Sequence, residues 1–428
     1  MTSTSPATSA TPAAPSPGSA PPPPRPPLGW LSDPAKPPSG ILEALVTGKV
    51  HLDNNFRVEA ADTTGRDSST EITNRIRLGY ETKPIYGISG FVEMENVSTP
   101  EEDNFFVPAT GTGTPTRTVT FDPPGTEVNQ AWGRYKTGSI GDSGVSLDLK
   151  AGRQRIRFDD DRFIGNVGWR QFEQTFDAVG ASTNLGVDQL EFSYAYVWGV
   201  QRTFGPDGPN PDSDSHFFHA AYRVAPQLRV TPFAYLLDFE RDEPLNSSNT
   251  FGVLLTGRLW EEADNQADLY ADYELTYAHQ TDAASNPVDY NADFVAAQLR
   301  VTRGQLGHVL VGYQFLGSDD GVFAFRFPLG TNHAFQGFAD NFLVTPAFGV
   351  QDLYFGVGAD LPWGIKAAVT YHLFFSDEGG NDLGEEFDFV ASREITPNWA
   401  VLIKGGFLDG DSGQPDTTRF WVQTALKF

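Results

Sequence analysis

From Val46 to Phe428 the chain is a succession of stretches in which apolar and polar side chains alternate, separated by clusters of Gly, Pro, Asn and Asp. Period-two alternation is that of a β-strand, whose successive side chains point to opposite faces. Eighteen such stretches run at 46–61, 71–83, 87–98, 126–137, 144–155, 173–182, 187–201, 215–225, 228–240, 249–260, 266–278, 289–302, 304–316, 349–359, 363–375, 385–394, 397–408 and 417–428. In the last of them Phe420, Val422, Leu426 and Phe428 form an apolar stripe, and Arg419, Gln423 and Lys427 a polar one. Such a strand suits a wall with lipid on one side and water on the other.

The links between stretches predict how they are joined. Every second link is short, as at 83–87, 225–227, 303 and 395–396, whereas those between include 98–125, 156–172, 201–214 and 317–348. Short turns on one rim, long loops on the other and both termini on the short side predict an all-β fold: a closed antiparallel transmembrane barrel of 18 strands, with periplasmic turns and extracellular loops. A propeller would show shorter strands in fours with a repeated blade motif, and the sequence has none.

Composition agrees with this class. The chain has 428 residues, 43 of them Gly, with 13% aromatics and a mean hydropathy of -0.33. It contains no apolar run of 18 residues, so no helix is expected to span a bilayer, whereas a barrel turns only half its strand residues to lipid. There is no cysteine, which removes disulfides, Cys-bound zinc and thiol catalysis. Residues 1–40 differ: Thr2 to Pro38 is nearly all Pro, Ala, Ser, Thr and Gly, with prolines from 21 to 24. That predicts a disordered spacer ahead of a barrel at 41–428. The start lacks the basic and apolar regions of a secretory signal, which export to an outer membrane requires.

Charge is unevenly spread. The formal net charge is -25, and the long links carry far more Asp and Glu than Lys and Arg, so the outer rim is expected to be acidic. The polar stripes are more basic. Lys49, Arg57, Arg75, Arg77, Arg134, Lys136, Lys150, Arg223, Arg258, Arg300, Lys366, Lys404 and Arg419 fall on the face assigned to the lumen, interspersed with Glu93, Glu95, Asp268, Asp272 and Glu274.

Catalytic and metal-binding patterns are weak. Gly141-Asp142-Ser143-Gly144 and Gly410-Asp411-Ser412-Gly413 look like a serine-protease nucleophile sequence, but both sit where turns are expected, and turns favour these residues. On a strand, the offset of three between His216 and His219 sends the rings to opposite faces, so they share no metal. The run Asp159-Asp160-Asp161 lacks the spacing of a calcium loop, and no phosphate-binding or dinucleotide loop is present. No enzyme activity, cofactor, metal or nucleic-acid partner is therefore expected.

Longer motifs go beyond turn and strand patterning. They are Arg75-Ile76-Arg77-Leu78-Gly79-Tyr80-Glu81-Thr82-Lys83 with Phe91-Val92-Glu93-Met94-Glu95-Asn96-Val97, the arginine-rich stretch Gly152 to Gln171 continuing through Gln174-Thr175-Phe176-Asp177-Ala178, and Thr331 to Phe342 followed by Thr345-Pro346 and Gly349 to Tyr354. Together they make the chain from about residue 45 onward resemble the alginate-export family of outer-membrane porins. The resemblance implies an 18-stranded barrel passing an anionic, uronate-type polysaccharide or its oligomers through an arginine-lined lumen in the outer membrane of a Gram-negative-type bacterium. The path or constriction is expected to involve Lys49, Arg75, Arg77, Glu93, Glu95, Arg134, Lys150, Arg153, Arg155, Arg162, Arg170, Arg258, Arg300 and Arg419, with the segments around Arg162 and Arg170 and at 317–348 narrowing it. A general or small-solute, anion-leaning porin is the alternative. Expected partners are outer-membrane lipid and lipopolysaccharide, the anionic polysaccharide, periplasmic export proteins, and the barrel-assembly machinery, engaged through the strand ending at Phe428.

Overall fold

The computed structural model describes residues 36–240, 242–261 and 269–428; residues 1–35 of the Pro-rich segment, and Asp268, lie outside the described residues. A short helix, α1 (Ile41–Val46), not anticipated from sequence, leads into the first strand. The barrel strands are β1 (Lys49–Thr63), β2 (Ser69–Glu81), β3 (Ile88–Ser98), β4 (Gly125–Lys136), β5 (Leu147–Gln154), β6 (Thr175–Thr183), β7 (Leu190–Gln201), β8 (Asp212–Ala225), β9 (Leu228–Leu237), β10 (Ser248–Glu261), β11 (Leu269–Asp282), β12 (Asn291–Arg303), β13 (Gly307–Leu316), β14 (Val350–Leu361), β15 (Ile365–Phe375), β16 (Asp382–Thr396), β17 (Trp399–Gly410) and β18 (Thr417–Lys427). All eighteen form one antiparallel sheet, and β18 pairs back onto β1 from Asp53↔Lys427 to Thr63↔Thr417. Closure leaves no free edge, as a wall in lipid requires.

Register fixes which face each residue occupies. Arg57 stands opposite Gln423, Lys404 opposite Trp421, and Arg300 opposite Asp272, so these side chains share the inner face. The outer face carries Ile76, Leu78, Val92, Val311, Phe355, Ile403, Phe420 and Val422, all exposed and apolar. Tyr86 and Trp363 project from short-rim turns, the level at which aromatic rings anchor a barrel at the lipid interface. Replacing Val422 by arginine at the middle of β18 is expected to destabilise the barrel by about 2–4 kcal/mol. Lys427→Arg, on the inner face opposite Asp53, should cost less when both are unfolded in lipid vesicles.

The inner face is not polar all round. On β6 to β13 and on β15 it bears Phe176, Val197, Phe217, Phe233, Tyr235, Phe294, Leu316 and Phe374, which pack against Ile156, Phe158, Phe163, Phe325 and Phe327 from two loops folded inside. Phe163 lies 4.6 Å from Phe233 and 5.0 Å from Phe327. The expectation of a wet interior is therefore corrected along this wall: it buries apolar rings on the inside as well as presenting apolar groups to lipid.

Candidate functional site: a lumen crossed by three loops

Toward the short-turn rim the lumen is open and basic. Lys49, Arg134, Lys136, Lys150, Arg258, Arg300 and Lys366 all lie there on the inner face, and none is buried. They are moderated, not neutralised, by a few acids. Asp148 pairs with Arg134 and lies 3.7 Å from Lys136; Asp272 accepts a 2.9 Å bond from Arg258. The Lys150 ammonium sits 4.6 Å over the Trp132 ring.

The other half of the barrel is filled by loops 99–124, 155–174 and 317–349. Loop 155–174 crosses from one wall to the other. Arg155 leaves β5 to bond Glu93 at 3.0 Å and to pair with Glu173. Phe158 then stacks on His219 at 4.4 Å, and Asp159 bonds the same imidazole at 2.8 Å. The chain returns through Trp169, whose carbonyl accepts a bond from Arg57, and Gln171, whose carbonyl accepts bonds from Arg75 at 3.3 Å and Arg77 at 3.1 Å. Burial makes each of these contacts matter, because an unpaired charge here is costly. Arg75 also pairs with Asp53 at 2.7 Å, and Arg77 with Glu95.

Loop 317–349 closes the space from the other side. Gly337 has φ +77 and sits so close to Glu386 that a Cβ would come within 2.3 Å of its carboxylate. That approach lets two successive backbone N–H groups serve the wall: Phe338 donates to Asp388 at 3.0 Å and Ala339 to Glu386 at 2.6 Å, a small anion nest. Beyond it, Asp340 pairs with Arg170 at 2.8 Å and with His333 Nδ1 at 2.6 Å, while His333 Nε2 lies 2.7 Å from Lys404 Nζ. The rings of Trp169 and Phe338 flank that ammonium at 4.1 and 3.3 Å. Burial holds the His333 imidazole well below its usual range, countered only in part by Asp340. A neutral ring can accept a hydrogen bond from the Lys404 ammonium while donating to Asp340.

Arg162 is bound differently from the other buried arginines. Its guanidinium lies between Phe327 and Phe335, at 4.0 and 4.2 Å, and donates to Gln336 at 2.9 Å. Its Nε and Nη2 have no hydrogen-bond partner. It faces a cavity lined also by Asp160, Glu274, Gln298, Gln314 and Tyr354. Burial draws the guanidinium down to about 9, which keeps it charged near neutrality. Burial and neighbouring Asp159 push the Asp160 carboxyl up to about 6.

Of the residues singled out from sequence, Arg75, Arg77, Glu93, Glu95 and Arg155 come together in one buried network. Arg170 and Arg419 meet at loop 317–349, where Arg419 donates to the Ala339 carbonyl at 2.8 Å and pairs with Glu59 at 2.7 Å. Lys49, Arg134, Lys150, Arg258 and Arg300 line the open half. Arg153 is a correction. It stands three residues from lumenal Lys150, an offset that reverses the face, and it pairs with Asp177 at 2.9 Å on the outward side. His216 and His219 do occupy opposite faces: the first bonds Tyr194, the second Asp159. Both Gly-Asp-Ser-Gly sequences form turns, with the Ser143 hydroxyl donating to the Ile140 carbonyl. Sequence reading counted 98–125 among the long links but missed its place in the lumen, where Asp122 bonds Arg57 at 2.8 Å and the Gln171 N–H at 2.7 Å. It also missed the His333–Asp340 pair. Neither had a local signal beyond an acidic residue in a long link.

Comparison with known proteins matches the alginate-export family profile over residues 52–317. Comparison with curated proteins gives no significant match. Among solved structures the fold resembles the outer-membrane porin OccAB3 of Acinetobacter baumannii, with a TM-score of 0.66 at 11% identity over 90% of this chain and 100% of that one. It also resembles OccAB4 of the same organism, with a TM-score of 0.63 at 14% identity over 89% and 98%. OccK5 (OpdH) of Pseudomonas aeruginosa gives 0.62 at 13% identity over 90% and 99%. With the profile spanning more than half of a chain that closes into a porin-like barrel, the protein belongs to the alginate-export family and is an outer-membrane channel.

Proposed function

We propose that this channel carries anionic, uronate-type saccharides, as polymer or oligomers, from the periplasmic side outward. The observation that carries this reading is the asymmetry of the lumen: its open half, at the periplasmic short-turn rim, is lined by Lys49, Arg134, Lys136, Lys150, Arg258, Arg300 and Lys366. A funnel of one sign raises the local concentration of the opposite ion, so polyanions are drawn in from that side. The acidic loops at the far rim favour their departure. Deeper in, planar guanidinium groups suit carboxylates. Most of the arginines there already hold a protein carboxylate, as Arg57 holds Asp122 and Arg170 holds Asp340. An incoming uronate exchanges with that partner, so each site stays weak enough to release its cargo.

Single-channel recording tests this. Oligouronates added on the periplasmic side should block the current at lower concentration than from the other side, and neutral oligosaccharides of equal length should not. A current indifferent to oligouronates from either side would refute the proposal. It would favour a second reading, a small-solute diffusion porin, which the three inserted loops and the porin-like fold support.

A further inference from the structure

We propose that Glu59, Glu71 and Asp122 form a buried site for a hard cation of the calcium class, which pins loop 99–124 to the barrel wall. Glu59 and Glu71 face each other directly across β1 and β2 on the inner face, an arrangement that repels unless something lies between the charges. Asp122 is brought onto them by the loop. One oxygen from each of the three acids falls within 4.8 Å of the others. Calcium–oxygen distances of about 2.3–2.6 Å let three carboxylate oxygens at such separations share one ion, and calcium accepts the irregular geometry that magnesium does not.

Charge and bonding both leave room for an ion. Arg57 pairs with Asp122, and Arg419 with the Oε1 of Glu59; Glu71 has no such guanidinium. It is 1% exposed, and neither of its oxygens meets a donor at full bonding geometry. The second oxygen of Glu59 is also unsatisfied, and the hydroxyl directed at Glu71 is that of Thr120, fully buried beside it. A buried acceptor without a donor is costly, and here the groups converging from two strands and a loop are all oxygens. Hard cations take that donor set. The site shares Asp122 with Arg57 and Glu59 with Arg419, but ion binding is read without any saccharide present, so its test stands or falls independently of the proposed cargo.

The full-length protein, purified in detergent and stripped with a chelator, should regain one Tb³⁺ per chain with luminescence sensitised by Trp169 and Trp421. Arg57 bonds the first residue's carbonyl, and the second is the ladder neighbour of Glu59. Calcium should displace the Tb³⁺. Glu71→Gln should abolish the signal, while Glu101→Gln with Glu102→Gln, on the exposed part of the loop, should leave it intact. Chelator should also lower the melting temperature of the wild type but not of Glu71→Gln. Absence of a saturable signal in the wild type, or its survival in Glu71→Gln, would overturn the proposal, the latter by showing that Glu71 holds a proton and not a metal. Should Glu71→Gln fail to fold, the wild-type stoichiometry and its competition by calcium decide alone.

Discussion

Asp340→Ala should raise the single-channel conductance several-fold. Asp340 is the one carboxylate shared by Arg170 of loop 155–174 and His333 of its own loop, and His333 in turn touches Lys404 on the wall. Removing it leaves two buried donors facing each other without an acceptor. The latch between the loops is then electrostatically unfavourable, and the loops separate. Gly337→Val should reach the same open state by a steric route, since any side chain there collides with Glu386 and strains a backbone at φ +77. Bilayer recordings of the two variants check this. Unchanged conductance in both would mean that loop 317–349 does not limit the current.

Arg77→Ala should be the most destabilising single change on the polar wall, at about 3–5 kcal/mol. The Arg77 side chain is 6% exposed and lies against Glu95, with Glu173 at 3.6 Å. It also donates to the Gln171 carbonyl at 3.1 Å. Truncation leaves buried Glu95 with only Arg75, at 3.9 Å, takes from Glu173 one of its two arginines, and frees the return path of loop 155–174. Arg77→Lys should recover only part of the loss, because an ammonium cannot span the fork that the guanidinium makes. Unfolding in urea with lipid vesicles measures the difference. A cost under 1 kcal/mol would place the network in a far wetter setting than its burial implies.

How much of this was legible in the sequence differs by feature. All eighteen strands were, because lipid on one side and water on the other enforce alternation, and β18 shows it in Arg419, Gln423 and Lys427 against Phe420, Val422 and Leu426. Face assignment followed from parity and failed at Arg153, where the offset from Lys150 is odd. The apolar inner wall was harder to see. In His216-Phe217-Phe218 both faces carry rings, so alternation says little about which ring is inside. Contacts among the loops were invisible: Arg57 meets Asp122 and Arg170 meets Asp340 only because the barrel closes around them. Nothing local to Asp122 or Asp340 signals a partner so distant in the chain.

The most direct test of the account is the reversal potential across a bilayer under a potassium chloride gradient. A lumen whose accessible half is lined by lysine and arginine predicts anion preference in the wild type, with Arg300→Glu combined with Lys366→Glu shifting the potential toward cation preference. Cation preference in the wild type, or a potential unmoved by that double reversal, would contradict it.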